Sequence, residues 1–305
     1  MSGVLEGKVV VITGAGRGIG REIALRCAIE GAAVIVNDPG VAQEGDGGDS
    51  GPAQTTTDDI VAAGGRAHAN LANVADPGQA ATIVEDAVQR FGRIDAVVNN
   101  AGILRDAIWH KMSYEDWKSV IDVNLTGAFN VSRAATPYFR EQRSGSFIHL
   151  TSTSGLVGNL GQANYLAAKL GLVALSQSIA LDMARSGVRS NCVAPFAWSR
   201  MTSSIPQETP EQKSRVARLQ AMSAEKVAPL VAYLAADLSV GVTNQIFSVR
   251  RNEILLFSKP RPIRSMAKLE GWTVEAIAEE LIPAMRSSFA RADEISAHVF
   301  PYDPI

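Results

Sequence analysis

The 305-residue sequence has few cysteines and no excess of basic residues. Its two cysteines, Cys27 and Cys192, argue against a disulfide framework or a cysteine-based zinc site, and they favour a reducing compartment. The 29 basic residues against 31 acidic ones give a net charge of −2. Neither nucleic acid nor an anionic membrane is therefore expected as the main partner, because phosphate binding needs a basic excess.

Long hydrophobic runs are also missing. No stretch approaches the roughly 18 consecutive apolar residues that a membrane-spanning helix needs. The first eight residues contain no apolar run behind a basic flank, and the chain does not end in a Ser-Lys-Leu address. We therefore expect a cytoplasmic protein with no bound metal.

Apolar runs rich in β-branched residues alternate with segments of helical periodicity. A short apolar run of this kind is typical of a strand buried on both faces. The predicted strands lie at 8–13, 33–37, 66–71, 95–98, 146–150, 189–193 and 245–249, and the predicted helices at 18–31, 55–63, 77–91, 113–141, 163–186 and within 209–237. This order predicts an α/β fold with a doubly wound, parallel, seven-stranded sheet of the Rossmann type.

The last part of the chain does not continue this rhythm. We predict one dinucleotide-binding domain over 1–250 and a C-terminal appendage over 251–305, packed on the same domain or on a neighbouring subunit. Five prolines interrupt the appendage, and 273–285 is predicted as a helix with Thr273 as its N-cap. Residues 250–264 carry five basic side chains against one acid, which fits phosphate contacts, a solvated linker or a subunit contact.

A glycine-rich turn lies between the first predicted strand and the first helix. A helix N-terminus offers free N–H groups and a partial positive charge to a pyrophosphate, and glycines let the backbone approach it closely. The predicted cofactor contacts in this turn are Gly14, Arg17, Gly18, Ile19 and Gly20.

Asp38 follows the second strand, at the distance expected for a contact with the adenosine ribose. Its carboxylate would accept hydrogen bonds from the ribose hydroxyls and repel a 2′-phosphate, which favours NAD over NADP. Arg17 is the one residue that favours NADP instead, because a basic side chain in the glycine turn can pair with a 2′-phosphate. At the end of the fourth strand, Asn100, Ala101 and Gly102 are small or polar enough to lie under a dinucleotide.

Tyr165 and Lys169 are four residues apart on a predicted helix and therefore share one face. A nearby ammonium, together with an oxidised nicotinamide ring, is expected to lower the pKa of the phenol, so that it can remove a proton from an alcohol. Ser152, at the end of the fifth strand, is placed to hydrogen-bond the substrate oxygen. Asn124, inside the long helix, is expected to hold a water linked to Lys169.

Together these motifs resemble the short-chain dehydrogenase/reductase family over residues 5 to about 250. The matching residues are Gly14, Gly18, Gly20, Asn99 to Gly102, Asn124, Ser152, Tyr165, Lys169 and Asn191 to Pro195. The resemblance implies cofactor contacts from Pro195 and from Asn73 and Val74, where the family often has an aspartate. It also implies a homo-oligomer in which the helices 113–141 and 163–186 pair across subunits.

A narrower resemblance points to the (3R)-hydroxyacyl-CoA dehydrogenase part of the peroxisomal multifunctional β-oxidation enzyme and its bacterial relatives. It rests on VNDPG at 36–40, NNAGILRDAIWHKMS at 99–113, GNLGQANYLAAKLGLVALS at 158–176 and SRMT at 199–202. There are two departures near the substrate side: Phe196 replaces the glycine that usually follows Pro195, and the last strand runs into Arg250 and Arg251 instead of a glycine-rich stretch.

Apolar side chains follow the fifth and sixth strands, where such sheets bind ligands. Leu156, Leu160, Phe196, Trp198 and Met201 are predicted to line a substrate pocket for an acyl chain or fused ring, although ordinary packing under a loop is the alternative. We expect NAD-dependent oxidation of a 3-hydroxyacyl-CoA-like or steroid-like secondary alcohol. Two alternatives remain: a ketoreductase of another pathway, such as carrier-protein acyl reduction, and a non-catalytic dinucleotide-sensing module.

Overall fold

The computed structural model describes residues 3–41, 51–197, 209, 213, 222–291 and 293–300. Its sheet has the order β3-β2-β1-β4-β5-β6-β7-β8. The strands are β1 (Val9–Thr13), β2 (Ala33–Asn37), β3 (Arg66–Asn70), β4 (Ala96–Asn99), β5 (Gly145–Leu150), β6 (Val188–Phe196), β7 (Ile246–Arg250) and β8 (Glu253–Leu256). Strands β1 to β7 are parallel, which confirms the predicted doubly wound fold.

Both faces of the sheet are buried because helices cover each of them, and successive strand residues point alternately into the two cores. In β1, Val10 and Ile12 pack into one core and Val9 and Val11 into the other. The first core is covered by α1 (Gly18–Ile29), α2 (Gly51–Ala62) and α8 (Ala228–Ala235), and the second by α3 (Pro77–Phe91) and α5 (Gly127–Gln142). Cys27 and Cys192 are both buried and unbonded to each other.

The sheet of the described residues has eight strands, one more than predicted. β8 pairs antiparallel with β7, so that Arg250 lies opposite Glu253 and only two residues form the turn. The first of them, Arg251, has a φ of 57°, a conformation that glycine or asparagine usually supplies. The expected glycine signal for a hairpin is therefore absent, which is why the sequence did not reveal this strand.

The long helix predicted at 113–141 is interrupted. It consists of α4 (Tyr114–Ile121), a π turn (Asp122–Thr126) and α5, with Asn124 at the centre of the π turn. Such turns insert one extra residue into a helix and are common at functional sites. Tyr165 and Lys169 lie on α7 (Ala163–Asp182), which packs against α4 and a short helix, α6 (Thr153–Leu156).

In the appendage, Thr273 caps a helical segment as predicted, since its hydroxyl accepts a hydrogen bond from the Ala276 N–H at 3.1 Å. The segment continues through a π turn (Ile277–Leu281) to Ile282–Met285. Much of the helical region predicted within 209–237 lies outside the described residues. Across the part of the chain that is described, no helix combines the length and the apolar character needed to cross a membrane.

Candidate active site

The glycine turn has the shape that a pyrophosphate requires. Gly14 and Gly18 have φ values of 64° and 54°, and the space beside the Cα of Gly18 is open. At Gly20 a Cβ atom would lie 2.2 Å from the Gly14 carbonyl oxygen, so only glycine lets α1 begin this close to β1. The turn therefore presents backbone at the start of α1, and its geometry fits a bound dinucleotide.

Asp38 lies at the end of β2, beside the glycine turn. Its Oδ2 accepts a hydrogen bond from the Gly16 N–H at 2.9 Å, and its Oδ1 accepts one from Gly40 at 2.7 Å. These bonds fix the carboxylate next to the phosphate-binding turn. Each carboxylate oxygen has a lone pair left for a further donor.

Asn100 clamps the glycine turn to the end of β4. Its Nδ2 donates to the carbonyl oxygens of Thr13 and Gly14, both at 2.9 Å. The Thr13 hydroxyl accepts hydrogen bonds from the backbone N–H groups of Asn100 and Ala101, at 3.1 and 3.0 Å. The sequence did not reveal this role of Thr13. A single hydroxyl at the end of a strand is too common a feature to predict it.

The remaining predicted cofactor residues lie in different environments. Arg17 precedes α1 and borders a cavity of about 600 Å³ that α1 and the start of α2 share. Ile19 packs against the core, and Pro195 is half-buried near the end of β6. Asn73 is exposed and accepts a hydrogen bond from Ala75.

Val74 is a core residue. It is 5% exposed, and a Cβ at Gly127 would lie 2.6 Å from its Cγ2. Its carbonyl oxygen accepts a hydrogen bond from Asn130 at 2.9 Å. Only its main chain therefore remains for any contact with a cofactor.

The structure brings Ser152, Tyr165 and Lys169 together at the carboxyl end of β5. Ser152 caps α6 by accepting a hydrogen bond from the Ser154 N–H at 3.1 Å. Lys169 is buried, lies 5.5 Å from the centre of the Tyr165 ring and donates from Nζ to the Leu150 carbonyl at 2.7 Å. The Thr151 hydroxyl donates to the Lys169 carbonyl at 2.6 Å and so ties α7 to the strand end.

The pKa values of this cluster differ from the sequence expectation. Burial raises the pKa of Tyr165 to about 12, although a hydrogen bond with Ser152 lowers it, and the negative charge of Asp106 raises it further. Burial lowers the pKa of Lys169 to about 8. Burial therefore outweighs the hydrogen bond with Ser152, and the pKa of the phenol is raised, not lowered as expected.

Asp106 is a site residue that the sequence did not reveal. It follows β4 in the loop that runs beside α7, and it accepts a hydrogen bond from Gln162 Nε2 at 2.8 Å. Burial raises its own pKa, while the bond from Gln162 lowers it. Asp106 raises the pKa of Tyr165 only because the fold brings the two residues close together, and no local sequence pattern predicts this contact.

The Asn124 side chain is bonded to the backbone of the loop after β4. Its Oδ1 accepts a hydrogen bond from the Ile103 N–H at 2.8 Å, and its Nδ2 donates to the Ile103 carbonyl at 3.2 Å. Both ends of the amide therefore hold the loop after β4 beside Gly102. The side chain positions this loop, and the predicted water linked to Lys169 remains a prediction.

Two of the five predicted substrate residues, Trp198 and Met201, lie outside the described residues, as does the SRMT motif. Leu156 and Phe196 are half-buried, whereas Leu160 is 82% exposed. Among the described residues, Leu160 therefore does not line an enclosed pocket.

Two of the five basic residues at 250–264 have partners within the fold. Arg250 is buried, 6% exposed, and pairs with Glu253 at 3.4 Å. Arg264 donates to the Ala284 carbonyl at 2.7 Å. The predicted excess of positive charge is thus partly used within the fold.

The doubly wound sheet, the glycine turn and the Ser–Tyr–Lys cluster define a dinucleotide-binding oxidoreductase. The family model described as short chain dehydrogenase matches residues 8–210, and the chain belongs to this family. It is therefore an enzyme that acts on CH–OH groups with a nicotinamide dinucleotide.

Relatives of this chain include both dehydrogenases and reductases. It is 48% identical to a short-chain type dehydrogenase/reductase of Mycobacterium tuberculosis, over 78% of this chain and 80% of that one. It is 45% identical to the peroxisomal hydratase-dehydrogenase-epimerase of Saccharomyces cerevisiae, over 79% of this chain but only 26% of that one. It is 39% identical to a 3-oxoacyl-[acyl-carrier-protein] reductase of Thermotoga maritima, over 80% of this chain and 97% of that one.

A solved structure is also similar. The crystal structure of a short chain dehydrogenase from Mycobacterium avium superimposes with a TM-score of 0.81 and is 39% identical. The similarity covers 95% of this chain and 97% of that one, so it extends into the C-terminal appendage.

Proposed function

We propose that this enzyme oxidises a secondary alcohol to a ketone, reversibly and with NAD, and that its substrate is a 3-hydroxyacyl-CoA-like or steroid-like molecule. The observation that carries the proposal is the buried Lys169 beside Tyr165 at the end of β5, two strands from the β1 glycine turn that fits a pyrophosphate. A bound NAD would supply the hydride acceptor and a positively charged ring.

Tyr165 is the proton acceptor in the oxidation direction. Its Oη removes the hydroxyl proton of the substrate, while Ser152 orients the substrate oxygen by hydrogen bonding. Because burial holds the pKa of Tyr165 near 12 in the protein alone, ionisation depends on positive charge brought close to the ring. Lys169 supplies one such charge and has two further donors for the nicotinamide ribose after its bond to Leu150.

The preference for NAD rests on Asp38. Its carboxylate is held beside the glycine turn by Gly16 and Gly40, where it would accept hydrogen bonds from ribose hydroxyls. A 2′-phosphate at the same place would be repelled. Arg17 also borders this region and is the residue that would favour NADP instead.

The substrate class is supported by the names of the relatives. The yeast protein is named for a hydratase, a dehydrogenase and an epimerase of the peroxisome. We propose an acyl thioester for this chain because its motifs resemble a hydroxyacyl-CoA dehydrogenase. The second candidate is reduction of a 3-oxoacyl group on a carrier protein. The match to 97% of the Thermotoga maritima reductase favours that candidate.

We also propose a homo-oligomer in the cytoplasm. Phe129 on α5 and Leu170 on α7 are 50% and 51% exposed, and apolar helix faces of this kind are usually covered by another surface. These are the two helices expected to pair across subunits. The molar mass in solution tests the proposal.

The catalytic proposal is tested by Tyr165→Phe, with Tyr114→Phe on the exposed surface as the matched control. We expect the first variant to lose about a hundred- to ten-thousand-fold in kcat, the usual contribution of a positioned acid or base, and to keep its affinity for NADH. The assay is oxidation of 3-hydroxyacyl-CoA thioesters and hydroxysteroids with NAD. Turnover near wild type in Tyr165→Phe would refute the assigned role.

A further inference from the structure

The last described residues return to the candidate active site. Ser296 donates to the Gly158 carbonyl oxygen from its backbone N–H at 3.1 Å and from its hydroxyl at 3.4 Å. Gly158 belongs to the loop that joins Ser152 to Tyr165. The C-terminal appendage is therefore anchored to the segment between two of the residues proposed to act on the substrate.

Gly158 is shaped for this contact. It has a φ of 142°, which side chains rarely adopt, and a Cβ there would lie 3.1 Å from the Glu294 carbonyl oxygen. Any larger residue would push residues 294–296 away from the loop. A close approach between two backbones is one of the positions at which glycine is required.

A second contact joins the appendage to the end of β6. The Phe300 ring packs edge-on against Phe196, with 4.9 Å between the ring centres, and Phe257 lies 6.4 Å away. The Arg250 guanidinium lies 5.9 Å from the Phe196 ring and 5.8 Å from the Phe300 ring. We call Phe196, Arg250, Phe257 and Phe300 the Phe300 cluster. An aromatic pair and a desolvated cation of this kind each stabilise a fixed geometry.

We infer that residues 294–300 form one wall of the substrate site in their own subunit, and that Phe300 limits the size of the alcohols that the enzyme accepts. Two independent contacts support this inference. The backbone bonds fix the segment on the loop between Ser152 and Tyr165, and the Phe300 cluster fixes it at the carboxyl end of β6. Both places lie at the carboxyl ends of strands, where sheets of this type bind their ligands.

The inference deepens the proposed function and rests on it. A wall built from one aromatic ring excludes substrate atoms from the volume that the ring occupies. Removal of the ring admits bulkier alcohols, because pocket size discriminates by about tenfold or more for each group accommodated.

The test is Phe300→Ala, with Phe289→Ala as the control. Phe289 lies in the same appendage but is 54% exposed. We measure kcat and KM with a short-chain and a long-chain 3-hydroxyacyl-CoA and with a hydroxysteroid, all with NAD. For Phe300→Ala we expect the preference for the bulkiest accepted alcohol over the smallest to rise about tenfold, mainly through KM. Phe289→Ala should keep the wild-type preference.

A third variant separates specificity from simple loosening of the fold. Phe300→Leu keeps an apolar side chain of similar size and should restore most of the wild-type preference. An unchanged preference in Phe300→Ala, or an equal loss of kcat on every alcohol with a lower Tm, overturns the inference. If the wild-type enzyme binds NADH but oxidises none of these alcohols, the proposed function itself is wrong. That result differs from an unchanged preference and from a general loss of kcat in Phe300→Ala, which contradict only the inference about Phe300.

Discussion

His149 is the most deeply buried titratable side chain beside the candidate active site. It lies on β5, three residues before Ser152, and is fully buried. Asn99 donates from Nδ2 to His149 Nδ1 at 3.2 Å, and His149 Nε2 lies 3.3 Å from the Ser190 hydroxyl. Because Nδ1 accepts in this arrangement, the neutral ring carries its hydrogen on Nε2. A proton on Nδ1 would face the Asn99 amide hydrogens.

The pKa of His149 makes stability depend on pH. Burial, with the nearby Lys169 ammonium as a second cause, lowers it from 6.5 to about 3. Between these two values the unfolded chain binds a proton that the folded chain excludes, so this stabilising contribution is complete above pH 6.5 and is lost as the pH falls. The loss is about 1.4 kcal/mol for each pH unit, with a ceiling of about 5 kcal/mol.

The substitution His149→Gln tests this reasoning. Glutamine offers a carbonyl to Asn99 and an amide to Ser190 but does not titrate. We expect the wild-type free energy of unfolding in urea to fall by about 3 kcal/mol more than that of the variant between about pH 7 and about pH 4.5. His110→Gln, at an exposed position, should behave like the wild type. Parallel pH profiles for the wild type and His149→Gln would show that the buried ring does not control acid stability.

Two further predictions concern the cofactor and the catalytic proton. Asp38→Asn removes a charged acceptor, and loss of a charged hydrogen bond costs about 1.5–3 kcal/mol. We therefore expect at least about tenfold weaker NADH binding and tighter NADPH binding in fluorescence titrations. An unchanged ratio of the two affinities would contradict the role of Asp38. Asp106→Asn removes a negative charge that raises the pKa of Tyr165, so the pH profile of kcat for oxidation should move to lower pH. Glu115→Gln, an equal change of charge on the exposed face of α4, should leave that profile in place.

The sheet was predictable because its signals are local. Runs such as VVVIT and AVIVN are long enough to be buried on both faces, and each is followed by glycines or by an acid at a fixed distance. The Tyr165 and Lys169 pair was visible for the same reason, since residues four apart share one helix face. The break in the long helix at Asn124 was not visible, because a π turn has no characteristic local composition.

Long-range contacts explain what the sequence did not reveal. The pKa of Tyr165 depends on how deeply the folded chain buries the ring and on Asp106, which lies in a loop far from α7 in the sequence. Strand β8 has Ile254 and Leu256 exposed at 61% and 63%, so the usual alternation of polar and buried apolar residues is missing. Only the paired sheet identifies it as a strand.

The two departures from the family pattern are connected in the fold, because both side chains contact the same residue of the appendage. Phe196 stands where the family usually has glycine, and Arg250 stands where the last strand usually runs into a glycine-rich stretch. In the fold, both side chains contact Phe300 of the appendage, and Arg250 is buried between the two rings and Glu253. Glycine at 196 would leave the Phe300 ring without its aromatic partner, and a small residue at 250 would leave Glu253 without its cation. Both residues thus connect Phe300 of the appendage to the carboxyl end of the sheet, where the substrate is proposed to bind.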